Sequence, residues 1–484
     1  MAGVGHVAVD LGAESGRVIV GDLTAIEVAH RFANGPVRVG DRIYWDILAI
    51  FSEIKNGLRR ALQGSAELAS VGIDTWGVDY GLLDEAGELL GMPYHYRDSR
   101  TEGVPDRVTE LIDRRDLYRH TGIQTMLFNT LYQLFAHKQH RPEMLRAAQR
   151  FLTIPDLLHY WLCGVQANEY TISSTTQLLD PRTRDWSPEV LRAVGLTPQL
   201  FGPVVMPGTE LGSLAPGLHA ELGGGGGIRV VAPGSHDTAS AVAAVPSNGN
   251  DEQWAYISSG TWSLLGIEAA EPIINDASFR YDFTNEGGVG GIRYLKNIMG
   301  LWIVQECKRA WNSAGSDYSY AQLTAMAEAS AAAPFQIDPN DQRFFAPSLI
   351  GDSMPDRLDA YCRETNQRPP ADPGTSIRGV LESLASAYSR TLAQVTASTG
   401  RTFRRLHIIG GGCQNGLLCQ LAANACCIPV HAGPVEATAL GNILVQQLAA
   451  GSVASVADGR RMIAMHHPVQ TYQPQTSSRP GNTN

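Results

Sequence analysis

The chain has 484 residues, 44% of them hydrophobic, so it is long enough to bury most of its unfolded surface and exceeds the size at which one core normally divides. A net charge of −10 and a pI near 5.7 exclude the basic footprint that nucleic acid or an anionic membrane would need, and point to a small soluble partner. No run approaches the ~20 apolar residues of a membrane span, "MAGVGHVAVD" lacks the basic and apolar regions of a signal peptide, and seven cysteines without a CxxC pair read as reduced thiols, which together predict a cytoplasmic location.

In chain order, "VAVDLGAESGRVIV" (Val7 to Val20) reads as two β runs around a Gly/Ser turn. Asp10 sits inside the first run. An ionised carboxylate in a buried strand costs several kcal/mol unless paired, so Asp10 is expected at a strand end facing water, a cation or a ligand. Ile47, Phe51, Ile54, Leu58 and Leu62 recur at helical spacing and predict an amphipathic helix. "ASVGID" (Ala69 to Asp74) is a further β run ending in a carboxylate, giving the alternating α/β pattern in which ligands bind at strand ends. The region from about 105 to 200 is richer in helix signals and aromatic residues and has the character of an inserted or lid-like element.

"ELGGGGGIRV" (Glu221 to Val230) is a five-glycine loop entering a β run, and "VPSNGND" (Val245 to Asp251) has the composition of a domain connection. We place the boundary there, giving domains 1–246 and 247–465 and a disordered tail over 466–484. "WAYISSGTWSLLGIE" (Trp254 to Glu268) repeats the plan of the first hairpin, with Gly260 lying 248 residues after Gly12, and suggests a chain built twice on one design. A helix is expected from about Ile377, with Ile377, Val380, Leu384, Tyr388 and Leu392 on one face. In "RLHIIGGGCQNGLLCQLAANA" (Arg405 to Ala425) a β run meets three glycines and a helix, a place where backbone can approach a nucleotide. Cys426 and Cys427 read as buried small residues of that helix, and Gly441 as a point of close packing in the next.

Neither GxxxxGK[ST] nor a GxGxxG after the first strand is present, which leaves the hairpin type of phosphate binding, with Asp10 on a magnesium ion and Arg17 on a terminal phosphoryl oxygen. The plainer reading makes Asp10 a turn residue and Arg17 a solvated charge. "VVAPGSHDTASAVAAVP" (Val230 to Pro246) delivers Ser235, His236 and Asp237 to a helix start; Asp237 either accepts a proton from a substrate hydroxyl or simply caps the helix. Asp74, Trp76, Gly77 and Asp79, followed by "YHYRDSR" (Tyr94 to Arg100), combine carboxylates and arginine with aromatic rings, as a polyhydroxylated ligand requires; a buried tryptophan among solvated charges is the alternative.

These stretches, with "YRDSRT", "FNTLYQL", "TNEGG", "LKNIMGLWIVQE" and "AGPVEATALGNI", together resemble the FGGY carbohydrate kinases of the actin/Hsp70/sugar-kinase superfamily over nearly the whole chain. "IDTWGVDY", "FNTLYQL" and "SHDTASAV" are similar to the members that act on L-rhamnulose. The resemblance implies an α/β fold of two ribonuclease-H-like domains with a cleft between them, and ATP-dependent phosphorylation of L-rhamnulose to L-rhamnulose 1-phosphate in L-rhamnose catabolism. It places the proton acceptor on Asp237, the sugar contacts on Gly77, His236, Asp237, Thr238 and Asn297, and the metal-linked carboxylate on Asp10. Nucleotide contacts fall on Ala13, Glu14, Ser15, Gly16, Arg17, Thr261, Gln305 and Gly411, with ATP and Mg²⁺ as cofactors. Glu14 departs from the small residue expected there, so its carboxylate must point away from phosphate or assist Mg²⁺. A kinase for L-fuculose, L-xylulose or a similar ketose shares this machinery, and a non-catalytic ATP-binding sensor is the alternative from another class; the expected assembly is a monomer or homodimer, with no nucleic-acid or membrane partner.

Overall fold

A computed structural model describes residues 4–64, 67–247, 253–348 and 351–475, and divides the chain into two compact units. The first comprises 1–250, 268–295 and 436–467; the second comprises 251–267, 296–435 and 468–484. Asn248 to Asp251 of the connection read at 245–251 lies outside the described residues.

The first unit is built on strands β1 (Gly5–Leu11), β2 (Ser15–Gly21) and β3 (Ile26–Ala33), helix α1 (Ile47–Gln63), strands β4 (Leu68–Thr75), β5 (Glu210–Ser213) and β6 (Arg229–Val231), and helix α2 (Asp237–Ala243). Its sheet has the order β5-β6-β4-β1-β2-β3, with β1 antiparallel to β2 and parallel to β4. All seven residues of β1 are buried, as expected of a central strand covered on both faces. Helix α1 buries Ile47, Ile50, Ile54 and Leu58, while Phe51 and Leu62 are only partly buried at the edge of the same core. Asp46 caps α1 by accepting the Ala49 amide. The five-glycine loop contributes a turn into β6, where Ile228 donates its amide to the Gly225 carbonyl.

The expected inserted region, from about 105 to 200, is largely helical and carries its own apolar cluster, including Leu131, Leu134, Phe151, Leu178 and Leu191. Within the first unit, Asp156 is buried and accepts bonds from Thr153 Oγ1, Asn168 Nδ2 and the Glu169 amide. Burial pushes its carboxyl up to about 7 in spite of those donors. The native state therefore holds a proton that the unfolded chain has released. Unfolding free energy should fall as pH rises between the unfolded and folded values, by at most about 1.4 kcal/mol per pH unit for this group. Urea denaturation across that window should show the decline, and Asp156→Asn should reduce its slope.

The second unit contains β7 (Trp254–Ser259), most of β8 (Trp262–Ala269), the second half of β9 (Ile292–Met299), α3 (Trp302–Ser313), α4 (Pro373–Thr399), β10 (Arg405–Ile409), α5 (Gly416–Cys426), β11 (Val430–Ala432) and β12 (Gln470–Tyr472). These strands take the order β9-β8-β7-β10-β11-β12, with β7 antiparallel to β8 and parallel to β10. The second hairpin thus repeats the antiparallel start of the first. Helix α4 buries Ile377, Val380, Leu384, Tyr388 and Leu392, the face that the spacing predicts.

Two expectations are corrected here. The segment from residue 466 is ordered as far as it is described: α-helix runs to His466, and Gln470–Tyr472 pairs antiparallel with β11, through backbone bonds that leave mostly exposed side chains. Residues 476–484 of the expected tail lie outside the described residues. Cys427 is exposed, because α5 ends at Cys426 and Cys427 takes a left-handed φ of 56°. No helix among the described residues is long and apolar enough to cross a membrane.

Candidate active site

Register brings the first set of acids together. Asp10 is opposite Arg17 across the β1–β2 hairpin and opposite Asp74 on parallel β4. Arg17 Nη2 donates to Asp10 Oδ2 at 2.5 Å, and Nη1 donates to Glu436 Oε2 at 2.5 Å. Asp10 therefore tolerates its buried strand because the hairpin itself supplies a counter-charge. Arg17, expected on a phosphoryl oxygen, has both terminal nitrogens on carboxylates instead.

Burial pushes the Asp10 carboxyl up to about 6; Arg17 opposes this, while Asp237 and Glu436 add to it. Burial and then the neighbouring Asp10 hold Asp74 well above the usual carboxylate range, against a 2.6 Å hydrogen bond from Asn442 Nδ2. Asn442 and Glu436 come from the helix Ala437–Ala449 and its N-terminal flank. Among the described residues no three His, Cys, Asp or Glu side chains are grouped to hold a metal by themselves. Asp10 alone offers the one or two carboxylate oxygens on which magnesium keeps most of its waters, so its chemistry fits that ion.

The loop before α2 forms the second focus. Thr75 donates its amide to the Ser235 carbonyl at 2.9 Å and pairs with His236, so the end of β4 and the His236–Asp237–Thr238 step lie side by side. Buried Glu169 accepts the Ser235 amide, and Thr171 Oγ1 accepts that of His236. The helix cap is His236, without a side-chain cap bond; Asp237 is the first helical residue. Its Oδ1 accepts from the Thr238 amide at 2.6 Å and from Thr238 Oγ1 at 3.2 Å, and 31% of the Asp237 side chain is exposed.

The C-terminal end of α2 is held by Arg460, which donates to the Val242 and Ala243 carbonyls. Gly441 does give the close approach expected of it, because a Cβ there would lie 1.7 Å from the Ser240 carbonyl oxygen.

Gly77 follows β4 beside Thr175, and Val78 after it has a φ of 69°, a costly conformation for a β-branched residue. Three hydrogen bonds hold Val78 there: its amide to Thr175 Oγ1, and Thr130 Oγ1 and Gln133 Nε2 to its carbonyl. The nearby charges are engaged within the protein. Asp79 accepts from Trp45, Trp76, Tyr96 and Gln133, while Arg100 is buried on Gln133. Trp45 and Trp76 stack with centroids 3.9 Å apart, so this cluster is a wall made rigid by Asp79.

In the first hairpin, Ala13 and Glu14 form the tip and Ser15 and Gly16 open β2. The Glu14 carbonyl accepts the Asn34 amide. Gly16 serves packing: a Cβ would come 2.2 Å from the Phe32 ring.

In the second unit, Thr261 sits at the β7–β8 tip and accepts the Gly300 and Trp302 amides. Gln305 lies in the first turn of α3 with Oε1 buried and without a hydrogen-bond partner. Gly410 and Gly412 pack against Ser259, whereas a Cβ on Gly411 would meet nothing within 4 Å. Asn415 caps α5 by accepting the Leu418 amide, so that helix start is partly satisfied by the protein. Asn297, in β9, also belongs to this unit, and its carbonyl accepts from Asn340.

The structure adds residues that the sequence reading did not assign: Glu436, Asn442, Glu169, Glu286 and Arg293. Glu286 and Arg293 carried a usable signal, opposite charges flanking the glycine turn of "NEGGVGGIR".

The sequence matches the N-terminal domain of the FGGY family of carbohydrate kinases over residues 6–244 and the C-terminal domain over residues 255–450. It is 44% identical to a rhamnulokinase of Bacteroides thetaiotaomicron, over 97% of this chain and 95% of that one. Rhamnulokinases of Halalkalibacterium halodurans and Bacillus subtilis are 41% and 40% identical, covering 96% and 98% of this chain and 98% and 96% of theirs. Among solved structures, a ligand-bound xylulose kinase of Lactobacillus acidophilus aligns with a TM-score of 0.78 at 14% identity, over 97% of this chain and 94% of that one. A Plasmodium falciparum glycerol kinase with ADP aligns with a TM-score of 0.74 at 14% identity, with the same coverages. Carrying both matched domains in order and sharing two-fifths of its residues with full-length relatives, the chain belongs to the FGGY family of carbohydrate kinases and is a sugar phosphotransferase.

Proposed function

We propose that the protein transfers the γ-phosphoryl group of ATP to O1 of L-rhamnulose, giving L-rhamnulose 1-phosphate and ADP. The observation that carries this reading is the placement of Asp237: a partly exposed carboxylate at a helix start, among buried neighbours, beside His236 and the end of β4. Asp237 accepts the proton of the sugar hydroxyl as its oxygen attacks phosphorus, while the bond to the β-phosphate oxygen breaks and ADP leaves. Gly77, His236, Thr238 and Asn297 bind the sugar. Ala13, Glu14, Ser15 and Gly16 meet the phosphates, with Arg17 behind them on Asp10 and Glu436, and Thr261, Gln305 and Gly411 meet the rest of the nucleotide; the unsatisfied Gln305 Oε1 and the open space at Gly411 favour those two. Asp10 holds Mg²⁺, directly or through water, and the ion supplies positive charge against the phosphate oxygens. The names of the full-length relatives at 40–44% identity favour L-rhamnulose over other ketoses.

A coupled ADP-release assay over L-rhamnulose, L-fuculose, L-xylulose and polyols tests the assignment. Fastest turnover on L-rhamnulose is expected; a higher kcat/KM on another ketose would reassign the substrate, and ATP binding without turnover on any sugar would favour a sensor. Asp10→Asn should raise the Mg²⁺ concentration needed for half-maximal turnover by about 10–100-fold, with an unchanged far-UV spectrum. An identical Mg²⁺ titration in the variant would remove Asp10 from the metal.

A further inference from the structure

Glu286 and Arg293 are cross-strand partners in the hairpin formed by Thr284–Gly287 and the start of β9. Register puts the two charges on one face, where opposite charges attract. Both are buried, with side-chain exposures of 6% and 1%, and Arg293 Nη2 lies 3.1 Å from Glu286 Oε2. Arg293 Nε is used on the Gly287 carbonyl at 2.8 Å. The pair does not close on itself: Arg293 Nη2 is also 3.0 Å from His236 Nδ1, and Glu286 Oε2 is 3.1 Å from the same nitrogen.

These neighbours ask opposite things of Nδ1. A guanidinium has only donors and needs a lone pair, whereas a carboxylate needs a proton. The arginine contact has hydrogen-bond geometry, while Glu286 Oε2 is a buried atom without a hydrogen-bond partner. Arg293 therefore takes the Nδ1 lone pair and Glu286 balances its charge. Burial would push the Glu286 carboxyl up, but the Arg293 guanidinium beside it opposes this and helps to hold it below its usual value. With Nδ1 occupied as an acceptor, the imidazole proton belongs on Nε2, which lies 3.4 Å from Asp237 Oδ1.

We infer that Arg293, braced by Glu286, fixes His236 as the Nε2–H tautomer, so that the ring N–H is the one 3.4 Å from Asp237 Oδ1. Arg293 and Glu286 are positioning residues that act through His236. The inference rests on the proposed role of Asp237. That N–H lies on the side of Oδ1, which also accepts from Thr238, and leaves the other Asp237 oxygen for the sugar proton. The opposite tautomer would set a proton on Nδ1 against the Arg293 donor. An ion pair that served folding alone would not need its third contact on the residue next to Asp237.

The test is ¹⁵N NMR of the full chain labelled at histidine, at neutral pH, with the His236 signals assigned by their loss in His236→Gln. The expected result is an unprotonated Nδ1 and a protonated Nε2. A proton on Nδ1, or on both nitrogens, would overturn the inference. Arg293→Lys, which keeps a donor, should retain this pattern. Glu286→Gln should give mixed tautomers and a kcat lowered about tenfold with KM for the ketose nearly unchanged. An unshifted tautomer and unchanged kcat in Glu286→Gln would reduce the pair to a structural role. If Asp237 is not the base, the wild-type NMR pattern persists while Asp237→Asn keeps its kcat, so the two failures are distinguishable.

Discussion

Asp237→Asn should lower kcat on the ketose by about 10²–10⁴-fold, the range for loss of a positioned general base, while leaving the melting temperature nearly unchanged. The reasoning is local. Asp237 is the first residue of α2 and partly exposed, so no core contact is lost. An asparagine oxygen still accepts the Thr238 amide that Asp237 Oδ1 now accepts. What it cannot do is take a proton from a hydroxyl. The coupled ADP-release assay reads kcat, and thermal unfolding of the same preparation reads the fold. A kcat within about threefold of wild type would return Asp237 to a helix-starting residue and leave the reaction without its base.

Gly441→Ala is expected to be the most damaging single methyl group in the first unit. Its Cβ would stand 1.7 Å from the Ser240 carbonyl oxygen, a backbone atom that no rotamer change can move aside. The helix Ala437–Ala449 and α2 would have to separate by more than an ångström, where overpacking ordinarily costs about 1–3 kcal/mol and a backbone clash of this depth about 3 or more. Activity should fall with stability. One helix begins at Asp237; the other carries Asn442 on Asp74 and follows Glu436 on Arg17. Gly217→Ala is the control, since a Cβ there meets nothing within 4 Å. Urea denaturation and kcat compare the two variants; equal midpoints would mean that the two helices do not press together at Gly441.

Local pattern carried the elements well. The hairpin at Val7 to Val20, the helix from Ile47 and the apolar face from Ile377 follow from spacing alone, because a period of two or of 3.6 is written in adjacent residues. The family resemblance named the site residues, and their placement became visible only with the fold. Asp10 and Asp74 meet because parallel β1 and β4 adopt one register, and Glu436 reaches Arg17 from 419 positions away; no local period records either fact. Asp79 and Arg100 misled in the other direction. In sequence they resemble ligand-binding charges, yet Trp45, Trp76, Tyr96 and Gln133 use the first and Gln133 the second. Strand β12 escaped notice for a related reason: backbone pairing of mostly exposed side chains leaves no apolar alternation to read.

The hairpin that closes the Asp10–Arg17 pair has a further consequence for what can approach it. Arg17 is shared between Asp10 and Glu436, Asp237 adds a third acid within electrostatic reach of Asp10, and the Arg31 guanidinium stands 3.8 Å from Glu436 and more than half exposed. Among these groups three carboxylates, Asp10, Asp237 and Glu436, face two guanidiniums, Arg17 and Arg31. A naked polyanion would be turned away by that surplus, so the patch behaves as a toll gate that admits phosphate only when it arrives with its own cation.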